Sequence, residues 1–468
     1  MKLLARLLRA LLLLWLVFAS YGLQFGLERA FGPAGSAAAR ETAADQATWL
    51  RRRRRRVHAH NAERLLRGMV RLRGVYIKLG QVLSVMVGLL PEVYRQQLQS
   101  LQDRVPPRPF SEMERAFERS LGQKPSDCLT RLDARPIAAA SLGQVHLGEL
   151  PDGTQVAIKL LYPDIRAVIA VDMRVLRLAI RLFRRFLPLR DLEIVHAALA
   201  DLLARETDYL HEAACMRRMA EHFAGRKDIL VPEVVDALTS KDVLTMTRME
   251  GVKVSDVAAL RAQGIDPQAV GKLLLSCFLE QLLVHRDFQG DPHPGNFLVQ
   301  KGDQPAVPLR LVILDFGAVC EAPASLVDGL IEALLAFFSR DGQRLLGALE
   351  RMGFVAADGN RELAHRTVLV YFDRLLHVHS HSAQALIDRK PGQLRRLLDP
   401  QLDFSELRAL AHAFSLPEGW FYVERALVLM FGLVASVAPE LDLAKVAYPH
   451  LMPLLAARTQ AARSQSAQ

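Results

Sequence analysis

The sequence is poor in cysteine. Its 468 residues include four cysteines, Cys128, Cys215, Cys277 and Cys320, with no Cys-x-x-Cys pair among them. This scarcity excludes a disulfide scaffold and argues against a zinc site or a redox motif. An ordinary 24% of residues are charged and 51% are hydrophobic, while Gly and Pro follow no period, which excludes disordered and collagen-like chains. The length corresponds to about three average domains, so a two-lobed enzyme is compatible with it.

Positive charge is concentrated near the N-terminus. Residues 1–73 contain 15 Lys or Arg against four acidic residues, a net charge of +11, and the rest of the chain has a net charge of −1. We therefore expect no nucleic-acid-binding surface across a domain. The distribution is typical of a basic tether beside an apolar element.

One long uncharged run accompanies this basic charge. Residues Ala10–Leu27 contain no charged side chain, and as a helix of about 27 Å they would just cross the hydrocarbon layer of a bilayer. The small-residue linker Gly32–Ala47 separates them from six consecutive arginines, Arg51–Arg56. We favour a membrane span or an interfacial anchor, with the arginines attracted to anionic lipid. A targeting peptide cleaved near Ala19 and a buried helix remain alternatives.

The remaining chain mixes helical and strand-like patterns. Apolar spacing predicts helices at Val57–Leu101, Ser111–Leu121, 164–186 and 192–222, with a capping box from Ser111 and Glu114. Strands are predicted at 142–150 and 155–162, as a hairpin, and at 231–236, 243–249 and 309–314. Helix is expected to predominate after Gly271. The apolar run Ala426–Ala438 is too short to cross a membrane and predicts a core helix.

Three short patterns occur in the order that phosphoryl-transfer enzymes use. Lys159 follows the apolar residues Val156–Ile158, where a lysine can neutralise nucleotide phosphates. Asp291 and Asn296 have the spacing at which an acid and a magnesium-binding amide face one site. Asp315 opens an Asp-Phe-Gly sequence directly after an apolar strand, where a second metal ligand is needed. Each pattern alone is compatible with an ordinary turn or cap, but their order predicts kinase-like chemistry with Mg-ATP.

A second aspartate, Asp287, also lies in a sequence that resembles a kinase catalytic loop. His285-Arg286-Asp287 reads like an ordinary kinase catalytic loop, but five residues after Asp287 stands Pro292, which has no side chain that could bind metal. Asp291 is therefore the better candidate.

The loop before the lysine departs from ordinary kinases. It reads Ala138-Ala139-Ala140-Ser141-Leu142-Gly143-Gln144-Val145 instead of a glycine-rich turn. Alanine Cβ atoms disfavour positive φ and hinder the approach of backbone N–H groups to phosphate. We therefore expect nucleotide to be held in a different pose.

Together these residues resemble the UbiB/ADCK family of atypical kinases associated with ubiquinone biosynthesis. The resemblance extends over roughly 71–453. Lys78-Leu79-Gly80-Gln81 is similar to the family's K-x-G-Q motif, and residues 138–145 are similar to its alanine-rich loop. Glu206-Thr207-Asp208 is similar to its E-x-D motif, and Asp291–Asn296 matches its D-P-H-P-G-N loop.

The resemblance implies an α+β, helix-rich, protein-kinase-like fold with two lobes, a K-x-G-Q helical extension over the active site and an N-terminal membrane anchor. The expected segments are 1–56 (anchor and basic linker), 57–130 (extension), 131–250 (N-lobe with inserted helices) and 251–460 (helical C-lobe).

The resemblance also implies a role for each motif. Asp291 would be catalytic, and Asn296 and Asp315 would bind magnesium. Nucleotide would be held by Lys159, paired with Glu212 or Glu206, and by the loop residues Ala138, Ala139, Ala140, Ser141 and Val145. Lys78 and Gln81 would meet Glu206 and Asp208 near the nucleotide. Two positions depart from the family: Gln289 stands where histidine is usual, and the presumed hinge Met246–Met249 lacks an acid.

The implied function is that of a UbiB-type kinase or ATPase. It would bind Mg-ATP (or ADP) and support ubiquinone biosynthesis by hydrolysing ATP or by phosphorylating a small or lipid-like molecule. The alternative is a catalytically weak, nucleotide-gated adaptor that binds isoprenoid lipid or biosynthetic enzymes. Expected partners are membrane lipid, quinone precursors or quinone-biosynthetic enzymes, and no nucleic acid. The expected location is the cytosolic side of a bacterial-type inner membrane, with the mitochondrial inner membrane as the alternative.

Overall fold

The structure is a computed structural model. It describes residues 2–31, 40–85, 92–99, 107–183, 192–356, 360–376, 413–415 and 417–466. The chain divides into two units, one formed by Met1–Leu210 with Val235–Thr247 and the other by His211–Val234 with Arg248–Gln468.

Helices and short strands alternate along the chain. The described helices are α1 (Lys2–Phe31), α2 (Arg40–Leu72), α3 (Val75–Val85), α4 (Glu92–Gln99), α5 (Phe110–Leu121), α6 (Pro125–Cys128), α7 (Ile165–Phe183), α8 (Leu192–Glu206), α9 (Tyr209–His222), α10 (Val257–Ala262), α11 (Pro267–Glu280), α12 (Ala324–Ser339), α13 (Gly342–Met352), α14 (Arg361–Leu376), α15 (Trp420–Val437) and α16 (Leu443–Ser466). The described strands are β1 (Arg131–Leu132), β2 (Ala138–Ala139), β3 (Gly143–Glu149), β4 (Gln155–Leu161), β5 (Ile229–Leu230), β6 (Val243–Thr247), β7 (Val252–Lys253), β8 (Asp287–Gln289), β9 (Phe297–Gln304), β10 (Val307–Ile313) and β11 (Val319–Glu321).

In the first unit, the apolar helix α1 packs against α2 and α7. Among the residues of α1 whose burial the structure describes, Ala10, Val17 and Gln24 are buried. They are seven residues apart, which is the spacing of one stripe on a helix. Arg6 binds the buried carboxylate of Asp172 in α7, with Nε 2.8 Å from Oδ1. The uncharged run is therefore part of a helix that belongs to this unit.

Helix α2 continues through the six arginines without a break. The boundary predicted at residue 56 therefore falls inside a helix, and residues 40–47 of the predicted linker belong to the same helix. Arg73 and Gly74 both adopt left-handed backbone conformations, with φ 57°, and these end the helix. The helix predicted over Val57–Leu101 is consequently divided, and α3 begins after the turn.

An antiparallel sheet completes the first unit. Its strands are ordered β1-β3-β4-β6, and β2 also pairs with β3. The hairpin predicted from the sequence is confirmed as β3 and β4. Val156, Ile158 and Leu160 are buried, so strand alternation sends Lys159 to the opposite face of the sheet.

The second unit contains a sheet ordered β5-β10-β9-β7 and the helices α10 to α16. Helix α11 packs against α15 and α16. By length and composition α15, like α1, is apolar enough to cross a membrane. It nevertheless buries residues along much of its length, among them Val423, Met430 and Val434, so the predicted run 426–438 lies in a core helix.

Several local predictions are wrong. α5 begins at Phe110, one residue early, so Ser111 is not its N-cap and no side chain caps this helix. The helix predicted over 192–222 is interrupted between Glu206 and Tyr209, where the Tyr209 N–H donates to the Lys241 carbonyl oxygen at 3.1 Å instead of to the preceding helical turn. Residues 231–236 lie beyond β5, and β9 forms a hairpin with β10 where helix was expected.

Candidate functional site

Two loops of the second unit are held side by side by a short strand pair. They are the DPHPGN loop, Asp291–Asn296, and the DFG turn, Asp315–Gly317. β8, before the first loop, pairs antiparallel with β11, which follows the second. The Gly290 N–H donates to the Ala318 carbonyl oxygen at 2.9 Å, and the Leu314 N–H donates to the Asn296 carbonyl oxygen at 2.9 Å. The backbone therefore brings Asp291, Asn296 and Asp315 to neighbouring loops.

The DPHPGN loop is ordered by its own side chains. Asn296 Nδ2 donates to the Asp291 carbonyl oxygen at 3.1 Å. His293 Nδ1 accepts the Gly295 N–H at 3.1 Å, which gives this histidine a structural contact. Because the amide nitrogen of Asn296 is engaged, its Oδ1 is the end of the side chain that can bind a cation.

The DFG turn is stabilised from two directions. Asp315 Oδ1 accepts the Gly317 N–H at 3.1 Å, and Gln289 Nε2 donates to the Asp315 carbonyl oxygen at 2.9 Å. Glu212, buried in α9, accepts the Phe316 N–H at 3.2 Å. Glu212, one of the two glutamates expected near the nucleotide, therefore contacts this turn.

The side chain of Asp291 forms an ion pair that the sequence did not predict. Arg425 of α15 places Nη2 2.9 Å from Asp291 Oδ2. Arg425 is only 5% exposed. The signal was present in the sequence, because Glu424 and Arg425 are the only charged residues of an otherwise uncharged 18-residue helix.

Asp287, the aspartate of the His-Arg-Asp sequence, has a different environment from Asp291. It is buried in β8 and accepts hydrogen bonds from Arg218 Nε and Nη2, each at 3.2 Å. His222 Nε2 lies 3.4 Å from the same carboxylate, and the rings of His222 and His285 are stacked. Burial lowers the pKa of His285. These contacts join α9 to β8, so the role of Asp287 is structural.

In the first unit, Lys159 belongs to a row of residues across the sheet. Ala138 is opposite Val145, and Val145 is opposite Lys159. Directly opposed residues of antiparallel strands project from the same face. The structure thus brings together three of the residues expected to hold nucleotide, with Lys159 half-buried.

The alanine loop is partly a strand. Ala139 pairs with Gln144, and the Ala140 N–H donates to the Gly143 carbonyl oxygen at 2.8 Å, so that Ser141 lies in the turn between β2 and β3. A Cβ on Gly143 would lie 2.5 Å from a backbone oxygen of β4. Glycine is therefore required here for close approach between strands, a requirement that the sequence did not reveal.

The K-x-G-Q and E-x-D motifs meet in the first unit. Lys78 is buried in α3 and forms an ion pair with Glu206 at the end of α8. Gln81 lies three residues later in α3, and nothing is described of its side chain. Asp208, two residues after Glu206, lies between α8 and α9, with its Oδ2 3.6 Å from Lys241 Nζ.

Comparison with known proteins gives three kinds of match. The ABC1 atypical kinase-like domain matches residues 100–349. "Probable protein kinase UbiB" of Aeromonas hydrophila subsp. hydrophila is 32% identical over 413 residues, which cover 86% of this chain and 71% of the relative. "Protein ACTIVITY OF BC1 COMPLEX KINASE 8, chloroplastic" of Arabidopsis thaliana is 30% identical over 415 residues, 84% of this chain. The match spans 54% of the plant protein, about half of its length.

A solved structure supports the fold. The Rv3197–erythromycin complex from Mycobacterium tuberculosis superimposes with a TM-score of 0.55 and 24% identity, and the match covers 80% of this chain and 92% of that chain. At this identity the likeness extends to the fold alone.

Proposed function

The chain belongs to the ABC1 atypical kinase-like family, and from this premise we propose that it binds Mg-ATP and either hydrolyses it or phosphorylates a small or lipid-like acceptor, in support of ubiquinone biosynthesis at a membrane. The observation that carries the proposal is the β8–β11 pair, which brings the DPHPGN loop and the DFG turn together. An acid, an amide and a second acid are the side chains that a phosphoryl-transfer site requires. In this proposal Asp291 orients or deprotonates the nucleophile, and Asn296 and Asp315 bind magnesium.

The donor set of these loops suits magnesium. Carboxylate and amide oxygens are hard ligands of the kind that this ion prefers. Asn296 already directs its amide nitrogen to the Asp291 backbone, which leaves Oδ1 for the cation. A bound magnesium ion would neutralise charge on the nucleotide phosphates.

The first unit supplies the proposed nucleotide contacts. Lys159 is proposed to neutralise phosphate charge, and the loop residues Ala138, Ala139, Ala140, Ser141 and Val145 to contact ATP or ADP. Lys78, Gln81, Glu206 and Asp208 are proposed to act near the nucleotide. The ion pair between Lys78 and Glu206 supports this, because it brings the K-x-G-Q and E-x-D motifs into contact, as the resemblance implies.

A membrane surface is proposed for the same unit. α1 exposes Leu8, Leu12, Trp15 and Leu23 on the side away from its buried stripe. Between α1 and α2 lies a cavity of about 500 Å³ whose lining includes Trp49 and four arginines, Arg52, Arg53, Arg56 and Arg64. Apolar side chains beside a basic pocket suit an interfacial helix on anionic lipid. The Arg6–Asp172 pair supports an interfacial over a spanning position, because a helix that left α7 would abandon a buried carboxylate.

The proposal is tested by ATP turnover of the purified full chain in magnesium, with and without anionic liposomes and quinone-precursor-like phenols. Magnesium-dependent turnover that rises with liposomes or phenols is expected.

The membrane surface also favours the second candidate, a nucleotide-gated adaptor. Tight Mg-ATP binding that alters liposome association, without turnover above that of Asp291→Asn, would reject the enzyme in favour of the adaptor.

A further inference from the structure

We propose that Arg425 is the positioning residue of the catalytic carboxylate: it orients Asp291 from α15. This inference rests on the proposed function, since it assigns the group that makes Asp291 competent for phosphoryl transfer. Arg425 itself is not proposed to touch nucleotide or acceptor.

The contact is direct and comes from a rigid part of the unit. Nη2 of Arg425 lies 2.9 Å from Oδ2 of Asp291. Fixing one carboxylate oxygen determines the direction of the other, which is what a residue that orients a nucleophile requires. α15 packs against α11 and buries residues on both sides of Arg425, including Val423 and Ala426, so the guanidinium is held by the core and not by a loop.

Stability alone does not account for an arginine at this position. The side chain is 5% exposed, yet Nε and Nη1 have no hydrogen-bond partner among the residues that the structure describes. Burying a guanidinium with two unsatisfied nitrogens is costly, and exchange of a buried ion pair for apolar residues is often neutral or stabilising. A residue that costs stability while contacting a functional group is expected where function requires it.

The nearby residue Gln289 contacts a different group. Gln289 stands where histidine is usual in the family that the sequence resembles, and its Nε2 donates to the Asp315 backbone at 2.9 Å. Its amide nitrogen is thus directed to the DFG turn. Arg425 contacts the Asp291 side chain directly.

The test compares Arg425→Met, Arg425→Lys and Asp291→Asn, alone and combined with Arg425→Met, in the full-length protein. Arg425→Met should lower kcat roughly 10- to 100-fold and leave the KM for ATP within about twofold, because carboxylate orientation and not nucleotide binding is lost. Arg425→Lys should recover part of kcat. Arg344→Met, which removes the Arg344–Glu332 pair of the same unit, is the matched control and should keep wild-type kcat.

The double variant separates positioning from direct phosphate binding. If Arg425 acts through Asp291, then Arg425→Met causes no further loss in the Asp291→Asn background. An equal loss in both backgrounds, or an unchanged kcat in Arg425→Met, overturns the inference while leaving the proposed function intact. Absence of magnesium-dependent turnover in the wild type overturns both. If Arg425→Met does not fold, as judged by its melting temperature, Arg425→Gln is assessed by the same criteria.

Discussion

Asp315 combines two tasks in one carboxylate. Its Oδ1 accepts the Gly317 N–H at 3.1 Å. In the proposed function the same carboxylate also binds a magnesium ion. Asp315→Asn keeps the size and one acceptor oxygen but removes the charge, so we expect magnesium-dependent ATP binding and turnover to be lost and the melting temperature to be kept. Calorimetric titration with ATP, in magnesium and in EDTA, measures this. Wild-type ATP affinity in magnesium would remove Asp315 from the metal site.

Two nearby aspartates should respond differently to the same change. Asp291→Asn should lower turnover to a small residual rate and preserve the fold. Asp287→Asn should preserve most of the turnover of the folded protein and lower stability, on the order of 1 to 2 kcal/mol, because Arg218 and His222 lose a charged acceptor. Turnover assays and thermal melts distinguish the two. The reverse ranking would mean that Asp287 is the catalytic acid.

At the level of the element, the pairing of β2 with β3 restrains the alanine loop. Ala139 pairs with Gln144, and glycine in its place would weaken this short strand by roughly 0.5 to 1 kcal/mol and open positive φ. Ala139→Gly should therefore change nucleotide affinity or increase self-phosphorylation. Nucleotide titration and incorporation of labelled phosphate measure the two effects. If neither changes, the loop has no part in the mechanism.

The buried histidine of β3 makes the stability of this sheet depend on pH. His146 Nδ1 donates to the Asp133 carbonyl oxygen at 2.8 Å, and Nε2 accepts from Gln144 at 2.9 Å, so the ring is neutral. Burial lowers the pKa of His146 below its ordinary value of 6.5. The unfolded chain thus takes up a proton at a higher pH than the folded chain. The contribution of His146 is complete above about pH 6.5 and is lost as pH falls from there through the folded pKa.

The matched comparison is His146→Gln, which cannot titrate. Its melting temperature should be lower than that of the wild type at pH 7.5, and the difference should shrink by pH 5. Thermal melts across this range measure the two curves. Curves that stay parallel would show that His146 does not contribute to the pH dependence.

At the level of the whole molecule, α1 has both a structural and a proposed membrane surface. Removing residues 1–50 would also remove Arg6 from Asp172, so exposed positions give a cleaner experiment. Replacing Leu8, Leu12, Trp15 and Leu23 by Gln should reduce binding to anionic liposomes and retain ATP turnover, because these side chains are exposed.

The basic residues of α2 should account for the remaining binding. Replacing Arg51–Arg56 by Gln in the same variant should abolish the attachment that 0.5 M salt weakens, since exposed charges are screened at about that ionic strength. Co-sedimentation at low and high salt gives both measurements. Undiminished sedimentation of the combined variant in high salt would mean that the membrane surface lies elsewhere.

The sequence alone determined the family and the candidate chemistry. Lys159, the DPHPGN loop and the DFG turn are short motifs that are identified by their order along the chain. The family match confirms the resemblance. The β3–β4 hairpin followed from alternation around a Pro-Asp-Gly turn. Such features can be predicted because backbone periodicity and turn conformation depend on neighbouring residues.

Only the tertiary structure determined which side chains contact the residues of these motifs. Lys78 meets Glu206, and Arg425 meets Asp291, across long separations in the sequence. The same holds for α1, whose composition suited a membrane span but whose Arg6 is held by Asp172. A local pattern can single out an unusual charge such as Arg425, but it does not identify the partner, because the free energy of an ion pair depends on burial and geometry that exist only once distant helices have packed.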